Sequence, residues 1–559
     1  MKKTIIVAGA AGEGINTVEM FIEKILKKQG YEIFSYKNYM SRVRGGYNYS
    51  TIVISDLPVY ATVEKADLFI ALNKEAYAHA PNQMRNDGLL IALDEMGNGD
   101  ANVAKIIFEK ANLQKHSTSK NAFSMASVGV VLKFFGCDTN ALELTRHKKW
   151  TDEVNTENLK AATLGYESTT SQLTPPLAQN SERMLMGGNQ AVALGALSAG
   201  LGFYCAYPMA PSTGIMTTLS TYEKEMNILV EQAEDEIAAV MAAVGASSNG
   251  VRSMTGTSGG GFALMVETIG FAAVSETPVV IANVQRPGPA TGLPTRTEQA
   301  DLAFVATASQ GEFSRIILAP ISVEDAFYTT HRAFNLADKY QVPVIILTDQ
   351  LLADTTQSIP RFVTKDLKIE RHLLNEVTQD YKRYDFDAIS GGRKYPGLDP
   401  VTLIMTDSHV HDAYGKVSED EQVTILLKNK FLKRTEAIKN ELNKPLFYGA
   451  ELYDTLFIAW GSTFGALKEA VDTLNDSGEK TALLAFTDVF PIHRDVLKPF
   501  VKNDVKIINV EGNAMNQFGM LLRMETGVLF DKSINKYDGR PFTSQFIIEE
   551  YEVIKNGQY

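Results

Sequence analysis

Cysteine is nearly absent from this chain of 559 residues, which has only Cys137 and Cys205. No Cys-x-x-Cys pair occurs, which excludes a four-cysteine zinc or iron–sulfur site built by this chain alone. The same count excludes a disulfide framework and suits a reducing compartment. Positive charge is also short. Lys and Arg number 54 against 66 Asp and Glu, a net charge of −12. That balance argues against a nucleic-acid partner, whose binding relies on basic side chains neutralising phosphates. Long apolar runs are missing too. Lys2-Lys3 lead only into Thr4–Gly9, too short for a signal peptide or a membrane span. The expectation is a cytoplasmic protein with no membrane association.

What remains is the composition of a folded α/β protein, 45% hydrophobic and 21% charged. At roughly 150 residues per domain the length allows three or four domains. Thr4–Ala8 reads as a buried strand, Ile15, Val18, Ile22 and Ile25 as one helix face, and Tyr31–Tyr36 as the next strand. Further βα units continue to about residue 150. The stretch 168–181, rich in Ser, Thr, Pro and Gln, reads as a linker. A second α/β unit starts near Gly187, with strands at Val251–Thr255, Pro278–Val284, Ile316–Ala319 and Val342–Thr348. Residues 355–450 are less regular and include the Gly/Pro-rich loop Gly391–Gly397. A third unit has strands at Thr455–Trp460, Thr481–Phe486 and Val505–Val510. Such alternation favours parallel sheets covered by helices.

Several loops carry chemistry-bearing residues. Gly9-x-x-Gly12-x-Gly14 lies between strand and helix, where backbone N–H groups hold anions in some folds. Its spacing differs from G-x-G-x-x-G, Lys37 stands where a ribose-binding acid is expected, and Glu13 would repel phosphate, so a structural turn is the favoured reading. Arg42-Val-Arg44-Gly-Gly46 reads equally as an anion or subunit contact and as a solvated basic turn. Tyr207-Pro208-Met-Ala210-Pro211-Ser212-Thr213 is a proline-locked turn ending in hydroxyls. In Glu231-x-x-Glu234-Asp235-Glu236, acids at a helix start favour the macrodipole, the better reading for Glu231 and Asp235. Glu236 adjoins the apolar run and is the candidate for a buried carboxyl that holds a heterocycle. Thr257-Ser258-Gly259-Gly260-Gly261 is a bare turn that a ligand can approach closely. Arg286 opens a long Pro/Gly loop and suits bidentate recognition of a carboxylate. His409-Val-His411-Asp412 reads as a polar loop because no fourth metal ligand accompanies it. Glu511-Gly-Asn513 reads either as a loop facing a partner or as a helix-capping turn.

Taken in order, Gly188-Asn189-x-Ala191, Tyr207-Pro-x-x-Pro211-Ser212, Gln232-x-Glu234-Asp-Glu236, Thr257–Phe262 and Gln285-Arg-x-Gly-Pro289 resemble the α subunit of 2-oxoacid:ferredoxin oxidoreductases. The glycine loop and the Arg-Val-Arg-Gly-Gly stretch ahead of them are similar to the family's γ subunit. The chain therefore resembles a fused γ–α polypeptide over nearly its whole length. The resemblance implies a multidomain α/β fold: a parallel-sheet γ-like domain (1–165), a linker (166–186), a pyrimidine-binding domain for thiamine diphosphate (187–370), an irregular connecting region (371–450) and a transketolase C-terminal-like domain (451–559).

The resemblance also implies the chemistry. Glu236 falls on the glutamate that hydrogen-bonds the aminopyrimidine ring, and Arg286 on an arginine that contacts the substrate carboxylate. Tyr207, Pro208, Ser212 and Thr213 then border the substrate, and Thr257, Ser258 and Gly259 the cofactor. The diphosphate signature begins Gly-Asp-Gly, which this chain lacks. Mg and a [4Fe-4S] cluster are accordingly expected on a β subunit in a hetero-oligomer, with coenzyme A as co-substrate and ferredoxin as acceptor. By analogy with fused chains the expected substrate is 2-oxoglutarate. A non-catalytic assembly homologue and a non-oxidative thiamine diphosphate decarboxylase subunit are the alternatives. Ala210 stands where the family has a threonine near the substrate carboxylate. Ala11 and Glu13 replace the usual Gly and Gln of the γ-like loop. His411-Asp412-Ala-Tyr-Gly415 agrees with the family's α region.

Overall fold

The apolar run Thr4–Ala8 forms the middle of strand Lys2–Ala11, and helix Ile15–Lys28 buries Val18, Ile22 and Ile25 behind it. These elements belong to a computed structural model that describes residues 1–40, 45–97, 104–170, 182–377, 380–394, 396, 404–502 and 504–557. Contacts divide the chain into one unit of residues 1–187 with 354–361 and another of 188–353 with 362–559. Among the described residues no helix is long and apolar enough to cross a membrane.

In the first unit the described residues form an eight-stranded sheet, in the order Ala104–Phe108, Met84–Leu93, Ala66–Ala71, Lys2–Ala11, Gly45–Ser55, Glu32–Asn38, Thr355–Ile359, Met184–Gly187. The first four strands are parallel. Gly45–Ser55 inserts antiparallel between Lys2–Ala11 and Glu32–Asn38, which therefore run the same way as a crossover unit requires. The expected linker 166–186 is shorter at both ends. Helix Asp152–Glu167 runs into it, Met184–Gly187 is already a strand, and residues 171–181 lie outside the described residues. Strand Thr355–Ile359, within the stretch assigned to the pyrimidine-binding domain, pairs instead with Glu32–Asn38 and Met184–Gly187. Its ladder partners are remote in sequence, so no local pattern marks the exchange. Of Arg42-Val-Arg44-Gly-Gly46, residues 42–44 lie outside the described residues. In the glycine turn, Glu13 folds back so that Oε2 accepts from Ala10 N (2.7 Å) and Asn73 Nδ2 (2.6 Å). The turn thus carries its own anion.

The second unit holds two sheets. Seven described strands run in the order Asp488–Phe490, Ile316–Leu318, Pro343–Asp349, Val279–Gln285, Ser253–Thr257, Phe203–Ala206, Leu229–Gln232. All are parallel except Asp488–Phe490, which adds antiparallel to the Ile316–Leu318 edge. Five more strands follow the order Leu446–Gly449, Thr481–Phe486, Thr455–Trp460, Lys506–Glu511, Lys532–Asn535. The inner strands are buried on both faces and read as unbroken apolar runs for that reason. A single apolar core joins the sheets, with Ile281, Ile345 and Phe262 packed in one cluster with Trp460, Leu484 and Phe518.

Among the described residues after 370 there is little regular structure before helix Glu421–Glu441. Buried ion pairs hold it in place. Asp338 receives Arg252 (2.9 Å), Arg371 (3.1 Å) and Arg393 (3.1 Å). Glu276 receives Lys430 (2.7 Å) and Arg434 (2.9 Å), and its carbonyl accepts from Arg383 (2.7 Å). Burial alone would raise the Glu276 carboxyl, but Arg434, Lys430 and Arg383 outweigh it and hold the group at about 2, below its ordinary 4.5. A depressed acid stabilises the fold above its unfolded pKa and loses that contribution as pH falls through its folded pKa. Glu276→Gln should therefore destabilise the protein by about 3 kcal/mol at neutral pH, since it leaves buried cations uncompensated. The gap to wild type should narrow as pH drops from 4.5 toward 2. Denaturant melts across that range check both expectations.

Candidate active site

Four neighbouring parallel strands, Val279–Gln285, Ser253–Thr257, Phe203–Ala206 and Leu229–Gln232, end on one edge of the seven-stranded sheet. Open α/β sheets bind ligands beyond such carboxyl ends. The segments that leave these strands carry Arg286, Ser258, Tyr207 and Glu236 in turn.

Helix Glu236–Ser248 starts where it does because Asp235 caps it, Oδ1 accepting from Ala238 N at 2.8 Å. Glu231 and Glu234 stay exposed. Glu236 turns inward to 4% exposure, and its Oε1 is buried without a hydrogen-bond partner. Buried carboxylate oxygens are costly to leave unpaired, so an orphan here marks a place for a donor from outside. The glycine turn makes this approach possible. A Cβ at Gly261 would stand 2.1 Å from Thr257 Oγ1 and 2.6 Å from Glu236 Oε1. A Cβ at Gly259 would meet the Asp301 carboxyl at 2.4 Å.

Ser258 Oγ donates to Met209 Sδ (2.7 Å), tying the glycine turn to the proline-locked turn. That turn is closed by Ser212 Oγ donating to Met209 O (2.8 Å) and by Asn189 Nδ2 donating to Pro211 O (2.9 Å). Arg286 Nη1 donates to Ala210 O (2.7 Å), so the arginine and the turn are directly bonded. Glu236, Thr257, Ser258, Gly259, Ser212 and Arg286 thus form one connected group. Tyr207 is 40% exposed at its margin, Pro208 is half-buried, and Thr213 begins helix Thr213–Met226. The Ser212 hydroxyl is spent on the turn.

Sequence reasoning missed Asp301. It precedes helix Leu302–Thr307, where an aspartate ordinarily caps, yet its side chain makes no cap bond. Instead Oδ2 accepts from Asn283 Nδ2 (3.3 Å) against Gly259. Burial raises the Asp301 carboxyl to about 6 against the opposing pull of the Asn283 amide and Arg286. Burial likewise lowers the Arg286 guanidinium, with Asp301 acting the other way. An aspartate in front of a helix carries no signal in sequence that it will decline the cap.

The weaker motifs resolve as structure. His411 is buried against Tyr384 (ring centroids 4.1 Å apart) while His409 is exposed and paired with Asp407. Among the described residues no group of three or more His, Cys, Asp or Glu is placed to hold a metal. Glu511 is buried and caps helix Gln517–Thr526, accepting from Phe518 N (3.0 Å) and Gly519 N (2.8 Å). Of its two readings, the capping turn is the one observed. A cavity of about 470 Å³ lies elsewhere, lined by residues such as Phe486, Ile492, His493 and Phe500, and includes none of the grouped residues.

Residues 194–425 fit the family model for pyruvate flavodoxin/ferredoxin oxidoreductase, thiamine diphosphate-binding. Residues 4–168 fit that for pyruvate ferredoxin/flavodoxin oxidoreductase. A 2-oxoacid:ferredoxin oxidoreductase subunit alpha from a Sulfolobus species is 31% identical over all of this chain and 98% of its own length. The 2-oxoglutarate synthase subunit KorA of Archaeoglobus fulgidus is 33% identical over 60% of this chain and 89% of its own. The solved 2-oxoglutarate:ferredoxin oxidoreductase of Magnetococcus marinus, with 2-oxoglutarate, coenzyme A and succinyl-CoA bound, superposes with a TM-score of 0.92 at 29% identity. That match covers 99% of each chain. On its full-length likeness to the Sulfolobus subunit and the Magnetococcus enzyme, the chain belongs to the 2-oxoacid:ferredoxin oxidoreductase family.

Proposed function

We propose that this chain is the fused γ–α subunit of an enzyme that converts 2-oxoglutarate and coenzyme A to succinyl-CoA and carbon dioxide, passing two electrons to ferredoxin. The observation that carries the reading is the buried, unpaired Glu236 oxygen at a turn stripped of side chains. Thiamine diphosphate, when bound, supplies the electron sink on which a 2-oxoacid loses carbon dioxide. Glu236 would hold its aminopyrimidine ring through Oε1, with Thr257, Ser258 and Gly259 forming the adjoining wall. Arg286 spends one N–H on Ala210 O and has others for the substrate carboxylate. Ala210 leaves that side of the site apolar, bordered by Tyr207, Pro208 and Thr213.

The same reading takes residues 1–165 as a γ-like domain, 187–370 without strand Thr355–Ile359 as a pyrimidine-binding domain and 451–559 as a transketolase-like domain. A β subunit completes the site, bringing Mg, the diphosphate-binding half and the [4Fe-4S] cluster. Two facts favour this partner. The sequence has no Cys-x-x-Cys and no Gly-Asp-Gly. In addition, the helix that carries Glu236 exposes Ile237 (50%) and Met241 (45%) one turn apart, an apolar face suited to a subunit contact. The expected setting is the cytoplasm, where ferredoxin is reduced.

Three variants test the reading in complexes co-purified with the β subunit. Glu236→Ala should cut 2-oxoglutarate-dependent viologen reduction by about 100-fold or more while the complex still assembles on size exclusion. Retained turnover would remove Glu236 from the cofactor site. Arg286→Ala should raise KM for 2-oxoglutarate by about tenfold, the cost of a lost charge-assisted pair, and an unchanged KM would count against carboxylate recognition there. Gly261→Ala should reproduce most of the Glu236→Ala loss, because its methyl displaces the carboxylate. Full activity in that variant would mean the close approach is dispensable.

A further inference from the structure

The loop 287–300 leaves the sheet at Arg286 and returns at Asp301. The Gln285 side chain ties its two feet together, Oε1 accepting from Asp301 N (2.9 Å) while Nε2 donates to Thr348 O (3.1 Å). The returning foot is gripped from its other side by residues more than 160 positions later. Gln517, the first residue of helix Gln517–Thr526, straddles Asp301: Nε2 donates to Ala300 O (2.7 Å) and Oε1 accepts from Ala303 N (2.9 Å). Beside it, Gln299 N donates to Gly512 O (2.7 Å), and Gln299 Oε1 accepts from Gly512 N (2.9 Å) and Thr463 Oγ1 (2.7 Å). The Glu511 cap fixes the start of the helix from which Gln517 reaches.

Asp301 does not cap its own helix, so that helix does not set where its carboxyl stands. The backbone on either side of it must be held by something else. We infer that Gln517 is a positioning residue for 2-oxoacid binding. By holding both flanks of Asp301 it fixes the returning foot of the loop that Arg286 opens, and Gln285, which accepts from Asp301 N, passes that position to Arg286 beside it. The inference rests on Arg286 being the carboxylate site. It gives the C-terminal sheet, which contributes none of the grouped site residues, a direct hold on substrate affinity.

The test uses the full complex with the β subunit. Gln517→Ala should raise KM for 2-oxoglutarate about fivefold, the scale of one or two backbone hydrogen bonds, with kcat within about twofold of wild type. Gln285→Ala should raise KM as well, and the double variant should be no worse than Gln285→Ala alone, because Gln517 acts through the loop foot that Gln285 bonds. An unchanged KM in Gln517→Ala overturns the inference, as does a multiplicative rise in the double variant. A lowered Tm with unchanged KM also overturns it, since that is what a purely structural role produces. If Gln517→Ala fails to assemble, Gln517→Glu retains the acceptor for Ala303 N, loses the donor to Ala300 O, and is judged by the same KM criterion. Arg286→Ala, measured alongside, separates the two ideas. An unchanged KM there counts against the carboxylate site itself, whereas a raised KM there with normal Gln517→Ala kinetics counts against Gln517 alone.

Discussion

Everything at the site depends on main chain and side chain meeting without a Cβ between them. At Gly259 and Gly261 the turn after strand Ser253–Thr257 lies against Asp301 on one side and Glu236 with Thr257 on the other. A methyl at either position would overlap a carboxyl oxygen. Two acids, delivered by different segments, therefore sit on the same few backbone atoms, and the remaining contacts arrange themselves around that turn. Met209 receives Ser258, Arg286 grips Ala210 O, and Gln285 closes the loop that returns Asp301. Bare backbone is entropically expensive to order. Its cost is offset by the surrounding sheet, whose inner strands Ser253–Thr257, Val279–Gln285 and Pro343–Asp349 are buried on both faces.

Charge plays the opposite role in the irregular region, where it supplies fixity that secondary structure does not. Asp338 and Glu276 each gather several cations in the interior, and the segment around Arg371, Arg383 and Arg393 is held by those side chains rather than by a ladder. Buried charge of this kind adds little net stability over apolar packing, but removing one partner is severe. Here it anchors Arg371 and Arg393 to Asp338 and Arg383 to Glu276.

Strands of the second unit such as Val279–Gln285 and Pro343–Asp349 are legible in the sequence because burial on both faces makes them continuous apolar runs, whereas the partly exposed Leu229–Gln232, Leu446–Gly449 and Lys532–Asn535 are not. Thr455–Trp460 and Thr481–Phe486 have the same limits when read from the sequence and when observed. Glu236 stands out for a similar local reason, since it alone of its acidic run adjoins the apolar stretch of its helix. What escapes sequence reading depends on distant partners. Gly45–Ser55 enters between two strands that precede it, and Thr355–Ile359 joins a sheet whose other strands all lie more than 160 positions earlier. Asp301 resembles a cap and Gln517 an ordinary first-turn residue. Their roles exist only once residues 299–303 meet residues 511–517.

The short strand Asp488–Phe490 has a consequence for how this chain can be divided. It lies within the C-terminal stretch yet completes the edge of the other sheet, and Asp488 accepts both terminal nitrogens of Arg332. Cutting the gene between the two sheets would leave Ile316–Leu318 with an open hydrogen-bonding edge and Arg332 without its anion. An open edge of that kind invites pairing between molecules. The two sheets of residues 188–353 and 362–559 are thus inherited together: recombination can exchange the pair, but it cannot trade one for a foreign copy unless that copy brings its own edge strand.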